Sequence, residues 1–205
     1  MSDLDKLISL FETFPGVGGR QARRFAFHVL TLPENDTKEL ARLIENLNAT
    51  VTECQSCHRF FSTTQAETVC AICAANNRDH SRLLVVERDT DIQAIERASM
   101  YDGLYFVLGG TVPLLNNKQN HKLRGGALKA TVEARINENQ LSEVILGFSI
   151  NPDGENTARF VESILDPLLK QVDGKISYLG RGLSTGSELE YADAETIKNA
   201  LQNRT

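Results

Sequence analysis

The chain has no apolar run near the roughly 18 residues of a membrane-spanning helix. Its first residues do not form a secretory leader. These absences predict a soluble, cytosolic protein. Cysteine is scarce, at four residues in 205, and without an oxidising compartment a disulfide framework is disfavoured. A uniformly basic coat is also missing. The net charge is −5, which argues against wholesale nucleic-acid wrapping but leaves room for a local basic face. No G-x-x-x-x-G-K-[ST] sequence occurs, which argues against a P-loop NTPase. Gly180-Arg181-Gly182-Leu183-Ser184-Thr185-Gly186 is glycine-rich but has no lysine in the needed place. There is no low-complexity tract and no repeat of solenoid length.

What cysteine there is falls in one pattern. Cys54-Gln55-Ser56-Cys57 and Cys70-Ala71-Ile72-Cys73 are two C-x-x-C pairs separated by twelve residues. Each pair aims two sulfurs at one point, so two pairs complete a closed tetrahedral four-thiolate shell for zinc. The spacer is slightly shorter than in the common zinc-ribbon template but stays in that class. Two disulfides or a redox dithiol are the competing readings, and a redox motif has no need of a second copy. A closed shell has no open position for substrate, so this zinc is structural. Such sites contribute roughly 10–16 kcal/mol in small peptides. His58 and His80 lie close by in the sequence and are read as ordinary surface residues. The module is expected to form a hinge between two unlike halves.

Before the cysteines the chain reads as helical. Leu4, Leu7, Ile8 and Phe11 make an amphipathic stripe that Pro15-Gly16-Val17-Gly18-Gly19 stops. A second helix carries Ala22, Phe25, Ala26 and Val29 on one face and Arg20 and Arg24 on the other. A third is expected to open at Asp36, with an Asp36–Glu39 capping box, and to bury Leu40, Leu43, Ile44 and Leu47. Gly16 and Gly18 would let backbone approach an anion at the second helix's start, and Arg20 and Arg24 would extend the charge along a phosphate backbone. Such contacts position DNA without reading its sequence. The glycines alone serve equally well as a tight turn. Arg20, Arg23 and Arg24, in a stretch from Pro15 to Leu30 without acids, tip the balance to DNA. A second acid-free stretch, Gly103 to Val132, carries Lys118, Lys122, Arg124 and Lys129, while acids gather at Glu188, Glu190, Asp193 and Glu195.

From Arg82 onward short apolar runs alternate with helical patterns. Strands are expected at Leu83–Val86, Leu104–Leu108, Val144–Phe148 and Ile176–Leu179. Helices are expected around Ile92, Ile95 and Ala98, from about Gly126 to Ile136, and from Asn156 to Leu169. This is an α/β pattern, a parallel sheet with helices on both faces. Glu87, Asp89 and Asp91 follow the first of these strands, and Asp153-Gly154-Glu155 is expected in the loop after the third. Sites in such sheets lie beyond the strands' carboxyl ends. Clustered acids there could hold Mg2+, but the residues by themselves slightly favour a solvated acidic rim with helix caps.

Helical hairpin, four-cysteine module and acid-edged sheet, in that order, resemble the bacterial RecR recombination mediator family. The resemblance rests on Pro15-Gly16-Val17-Gly18 with Ala22, Arg24 and Ala26-Phe27-His28. It continues through Val85-Val86-Glu87, Asp91 and Ala94-Ile95-Glu96, and ends with Arg181-Gly182-Leu183 and Leu189-Glu190-Tyr191-Ala192-Asp193. It implies a helix-hairpin-helix DNA-binding region over 1–50, a zinc finger over 51–80, a Toprim domain over 81–180 and a short C-terminal tail over 181–205. It further implies a non-enzymatic, DNA-binding role in repair with RecO and RecF, and a homo-oligomer, a dimer or a ring-like tetramer that surrounds DNA. DNA would be held at Gly16, Gly18, Arg20 and Arg24, and a basic partner, RecO, at Glu87, Asp153 and Glu155. A Mg2+-dependent Toprim nuclease is the alternative reading, weakened by the lack of a nucleophile or base beside the acids. The chain departs from the family pattern in four places. Gly19 replaces the usual proline, Asp153-Gly154-Glu155 stands for Glu-Gly-Glu, Ser184-Thr185-Gly186-Ser187 replaces Pro-Val-Gly-Gly, and Leu114 to Leu128 is more basic.

Overall fold

A computed structural model describes residues 1–63, 66–114, 123–138, 140–180, 190, 192 and 194–202. Lys118, Lys122, Glu188, Asp193 and the stretch 181–189 lie outside the described residues. The chain divides into two compact units, Met1–Val51 and Thr52–Thr205.

In the first unit, α1 (Asp3–Glu12) starts at Ser2. The Ser2 hydroxyl accepts from the Asp5 amide, and the Asp5 carboxylate accepts from the Ser2 amide. This reciprocal cap satisfies two otherwise orphaned donors. Helix α2 (Gly19–Thr31) packs on α1 through Ala22 and Ala26, both fully buried. Phe11 meets Phe14 and Phe25 edge-on, with ring centroids 5.7 and 5.9 Å away. Helix α3 (Glu34–Thr50) begins before the expected Asp36, because the Pro33 carbonyl takes the Asp36 and Thr37 amides. Asp36 therefore lies inside the first turn, where it still complements the helix dipole. Glu39 pairs with Arg42 at 2.7 Å, and the expected capping box does not form. Leu40, Leu43, Ile44 and Leu47 are exposed, contrary to expectation. The 3.6-residue period reveals an apolar stripe, but says nothing of what covers it.

Strand β1 (Val51–Glu53) runs across the division and pairs with β2 (Phe60–Ser62) in a two-stranded sheet, followed by the single turn α4 (Ala71–Ala74). The main sheet has four parallel strands in the order β4-β3-β5-β6, namely Gly103–Val107, Asp79–Val86, Glu143–Gly147 and Lys175–Tyr178. Its crossovers are α5 (Asp89–Ala98), α6 (Gly125–Asn137) and α7 (Pro152–Leu169), and α8 (Ala194–Gln202) lies in the expected C-terminal tail.

Alternation along the strands divides the core. Leu83, Val85, Leu104, Phe106, Val144 and Leu146 join Leu128 and Val132 of α6 and Val161 and Leu165 of α7. On the opposite side Leu84, Val86, Tyr105 and Val107 meet Ile92 of α5 and the cysteines. The cysteine module is thus no free-standing hinge. It covers part of one sheet face. Helix α5 is tied down by Arg78, whose guanidinium bonds both Glu96 oxygens at 2.9 and 2.5 Å, while the Tyr105 hydroxyl donates to the same carboxylate at 2.6 Å.

Helix α7 begins four residues earlier than expected. Asn151 caps it by accepting from the Gly154 amide at 2.8 Å, Pro152 occupies the first turn, and Asp153 and Glu155 follow. These are ordinary helix-start residues, so the acidic triplet lies on a helix and not in a loop. A Cβ on Gly154 would lie 1.9 Å from the Ser149 carbonyl oxygen, a backbone atom with little freedom to retreat. Gly126, early in α6, has open space around it. Gly154→Ala should therefore destabilise the protein by about 3 kcal/mol, whereas Gly126→Ala should stabilise it by roughly 0.5 kcal/mol. Urea unfolding of the two variants will show opposite signs if this steric reading is right.

Candidate functional site

The four cysteines converge. Cys54, Cys57 and Cys70 are buried, Cys73 is partly covered, and all four sulfurs lie within 4.8 Å of one another. None is in a disulfide. A tetrahedron with metal–sulfur bonds of about 2.3 Å has sulfur–sulfur edges of about 3.8 Å. Cys57 Sγ and Cys70 Sγ are 3.7 Å apart. The donor set and its spacing fit one tetrahedral thiolate-preferring ion. Among the described residues these four form the only group of three or more metal-ligating side chains able to share an ion.

The backbone sets that geometry. The His58 amide closes on the Cys54 carbonyl and the Cys54 amide on the Arg59 carbonyl, each at 2.9 Å. His58 itself adopts a left-handed φ of +60° to complete the turn. The Cys70 amide donates to Cys54 Sγ at 3.3 Å, a contact that favours charge on that sulfur. Hydrogen bonding from Cys57 pushes the Cys54 thiol strongly down, and the same bond pushes Cys57 up. The module is anchored to the sheet through the Cys57 carbonyl, which accepts from the Val107 amide at 2.8 Å.

His80 is exposed, as expected, but His58 is not an ordinary surface residue. Its ring lies on Phe106, with centroids 5.0 Å apart, and its Nδ1 is 2.6 Å from Glu53 Oε1. Arg124 joins the same carboxylate through Nε at 3.2 Å and bonds the Val107 carbonyl through Nη1 at 3.3 Å. Burial pushes Glu53 upward, but the His58 bond and the Arg124 charge outweigh it and hold Glu53 below the ordinary range. Arg124 is therefore occupied within the fold, and Lys129 pairs with Glu133 at 3.7 Å. Neither is the free cation that the acid-free stretch suggested.

Beyond the strand ends the acids hold loops. Glu87, only 5% exposed, accepts from the Ser149 amide at 2.7 Å and so fixes the β5–α7 connection. Asp153 accepts from the Leu114 amide at 2.9 Å, beside the buried Thr157 hydroxyl that accepts from Val112 at 2.8 Å. Asp89 accepts from the Phe60 amide at 2.6 Å, and Asp91 from Arg88 at 2.8 Å. The structure brings Glu87 and Asp153 to the same edge of the sheet. It buries Glu87 beneath a loop, however, where it cannot meet a partner directly. Nothing in the sequence signals this, because a carboxylate that accepts a backbone amide and one that faces solvent are spelled the same way.

In the N-terminal unit Gly16 has φ +76°, a left-handed value that favours glycine. Gly18 caps α2 without a side-chain bond, and the first turn of α2 contains no acid. Arg20, Arg23 and Arg24 are exposed and form no ion pair among the described residues. One acid does come near. Glu12 Oε1 lies 2.9 Å from where a Cβ on Gly19 would stand, which brings a carboxylate beside the positive end of α2. Because Glu12 belongs to α1, the reading of an acid-free stretch could not register it.

Comparison with known proteins matches three stretches of the chain. Residues 4–47 match the RecR helix-hairpin-helix family, residues 81–179 the Toprim domain and residues 182–205 the RecR C-terminal family. A recombination protein RecR of Bifidobacterium adolescentis is 36% identical over 98% of this chain and 94% of its own length. One from Porphyromonas gingivalis is 36% identical over 98% and 92%, and one from Lactobacillus helveticus 33% over 97% and 94%. Likeness at this level, spread over nearly the whole length of both partners, makes the chain a member of the RecR family of recombination proteins.

Proposed function

We propose that the chain is a non-enzymatic mediator that binds DNA through phosphate and assists recombinase loading at gaps, acting in the cytosol with RecO-type and RecF-type partners. The observation that carries the DNA part is the start of α2. A left-handed glycine, an uncapped helix N-terminus and three exposed arginines without an ion pair among the described residues lie together on one short segment. Backbone amides and guanidinium groups both favour phosphate oxygens. A homo-oligomeric clamp, dimer or ring-like tetramer, is supported by the apolar face of α3. Leu43, Ile44 and Leu47 are 52%, 65% and 56% exposed, the kind of surface that protein contacts cover.

Removing Arg20 and Arg24 together should weaken DNA binding at every sequence. The log–log salt slope should fall by roughly one unit for each phosphate that is no longer neutralised. Glu12→Gln should act in the opposite sense and tighten binding at low salt, since it removes the carboxylate beside Gly19. Fluorescence anisotropy across a salt series tests both. Wild-type affinity in the double variant would reduce the hairpin to a turn.

Zinc is the ion proposed for Cys54, Cys57, Cys70 and Cys73, where it would lock the module against β4 and supply no chemistry. Elemental analysis should find about one zinc per chain. Cys57→Ser should lose the metal and melt at lower temperature. A Cys57→Ser protein that keeps its zinc and melts unchanged would refute the four-cysteine site.

Asp153 and Glu155, on the first turn of α7, are proposed as the docking face for a basic partner, with Glu87 holding the loop beneath them. Asp153→Asn should then weaken partner association, by an amount that shrinks as salt rises. Glu87→Ala should instead lower stability by about 2 kcal/mol, the usual worth of a hydrogen bond to a charged group. The wild type is expected not to cleave DNA in Mg2+ or Mn2+. Cleavage that disappears in Glu87→Gln would turn the assignment towards a nuclease.

A further inference from the structure

Helix α6 carries a partly buried guanidinium, one nitrogen of which the fold covers without giving it a partner. Arg135 Nη1 is buried and has no hydrogen-bond partner, alone in this respect among the buried side-chain nitrogens and oxygens of the described residues. No ion pair to Arg135 exists among the described residues. A guanidinium in that position is costly, because a charge removed from water must be compensated nearby.

The neighbourhood shows where the compensation can come from. Arg135 and Cys73 line one cavity of about 430 Å3, together with Ser56 of the first C-x-x-C turn, His80 and Glu138. Four neutral thiols would offset little. A divalent ion held by four thiolates is different, since roughly two negative charges remain in excess. The Cys70 amide donates to Cys54 Sγ, and backbone hydrogen bonds from Cys57 and Cys73 also reach the sulfurs of Cys54 and Cys70. Backbone dipoles carry no net charge, so a metal-loaded shell would still leave a net negative centre beside the guanidinium.

We propose that Arg135 is the counter-charge of the four-cysteine metal centre, placed by α6 on the Cys73 side of the cluster. It acts through the thiolates and is a positioning residue, not a ligand. The inference rests on the metal reading given above and adds a role for the sheet domain. Helix α6 does not merely cover one face of the sheet. It also sets the charge balance of a module built from residues far earlier in the chain.

The test uses the full-length, zinc-loaded protein with Arg135→Gln, Arg135→Met and Arg135→Lys. Zinc affinity is read by competition with a chromogenic chelator, and the electronic state of the sulfurs by the thiolate-to-metal charge-transfer band after cobalt replacement. Loss of the positive charge should lower zinc affinity about ten- to a hundredfold. It should also move the cobalt band to longer wavelength, because the thiolate electrons are less firmly held. Arg135→Lys should restore most of both. Arg135→Met fills similar volume without charge, so it guards against a variant that merely fails to fold. If Arg135 only packs, Met will keep wild-type affinity and the wild-type band, and the proposal is overturned. Absence of zinc from the wild type would overturn the metal reading and this proposal together. Zinc at full occupancy with unchanged Gln and Met variants would overturn this proposal alone.

Discussion

Two central strands that are apolar on both sides impose the main constraint on this molecule. Leu83 and Val85 of β3 point one way, Leu84 and Val86 the other, and Leu104–Val107 of β4 repeat the arrangement. A sheet of this kind is unstable unless both faces are covered. Helices α6 and α7 cover one face in the ordinary manner. On the other side α5 covers only part, and the remainder falls to a segment with two three-residue strands and one turn of helix. So short a segment cannot bury enough apolar surface to hold itself together. Four convergent sulfurs stand where a bound ion would supply the cross-link that its core lacks. Cysteine cluster and sheet are therefore one structural device, and the Cys57–Val107 backbone bond joins them directly.

The same economy of parts appears at the carboxyl ends of the strands. Glu87, Asp89 and Asp153 each accept a backbone amide from a different connection, at Ser149, Phe60 and Leu114. An acid that satisfies an otherwise orphaned amide contributes to the fold whether or not it also meets a ligand. Gly154, between two acids of the triplet, has its own steric reason to be glycine in the Ser149 carbonyl pressed against it. Acidic motifs in such sheets thus have a structural cause that operates before any functional one.

The N-terminal unit follows a different logic. Its buried contacts are small, centred on Ala22, Ala26 and a cluster of phenylalanine edges, while α3 leaves its apolar stripe open. A helix pair this modest leaves most of its residues exposed. Arginines stand on one side of α2 and the glycine turn shapes its start, with Glu12 as a built-in competitor for the same positive potential.

Much of this was legible in the amino-acid sequence, and the reason differs by element. The cysteine site could be read because ligand spacing is a local property, and two C-x-x-C turns carry their geometry with them. Strand and helix alternation from Leu83 to Tyr178 could be read because apolar runs of four or five residues and 3.6-residue stripes are also local. The start of α7 is as local, and Asn151-Pro152-Asp153 spells it, although an acidic triplet around a glycine reads equally well as a loop. What only the tertiary structure decided was pairing over distance. It placed Glu87 beneath Ser149, Arg124 on Glu53, Glu12 beside Gly19 and Arg135 near Cys73. It also left Leu43 and Ile44 of α3 uncovered. A charged or apolar side chain has the same letter whether the fold buries it, pairs it or leaves it open. Its environment is set by residues tens of positions away, and no periodicity in its own neighbourhood records them.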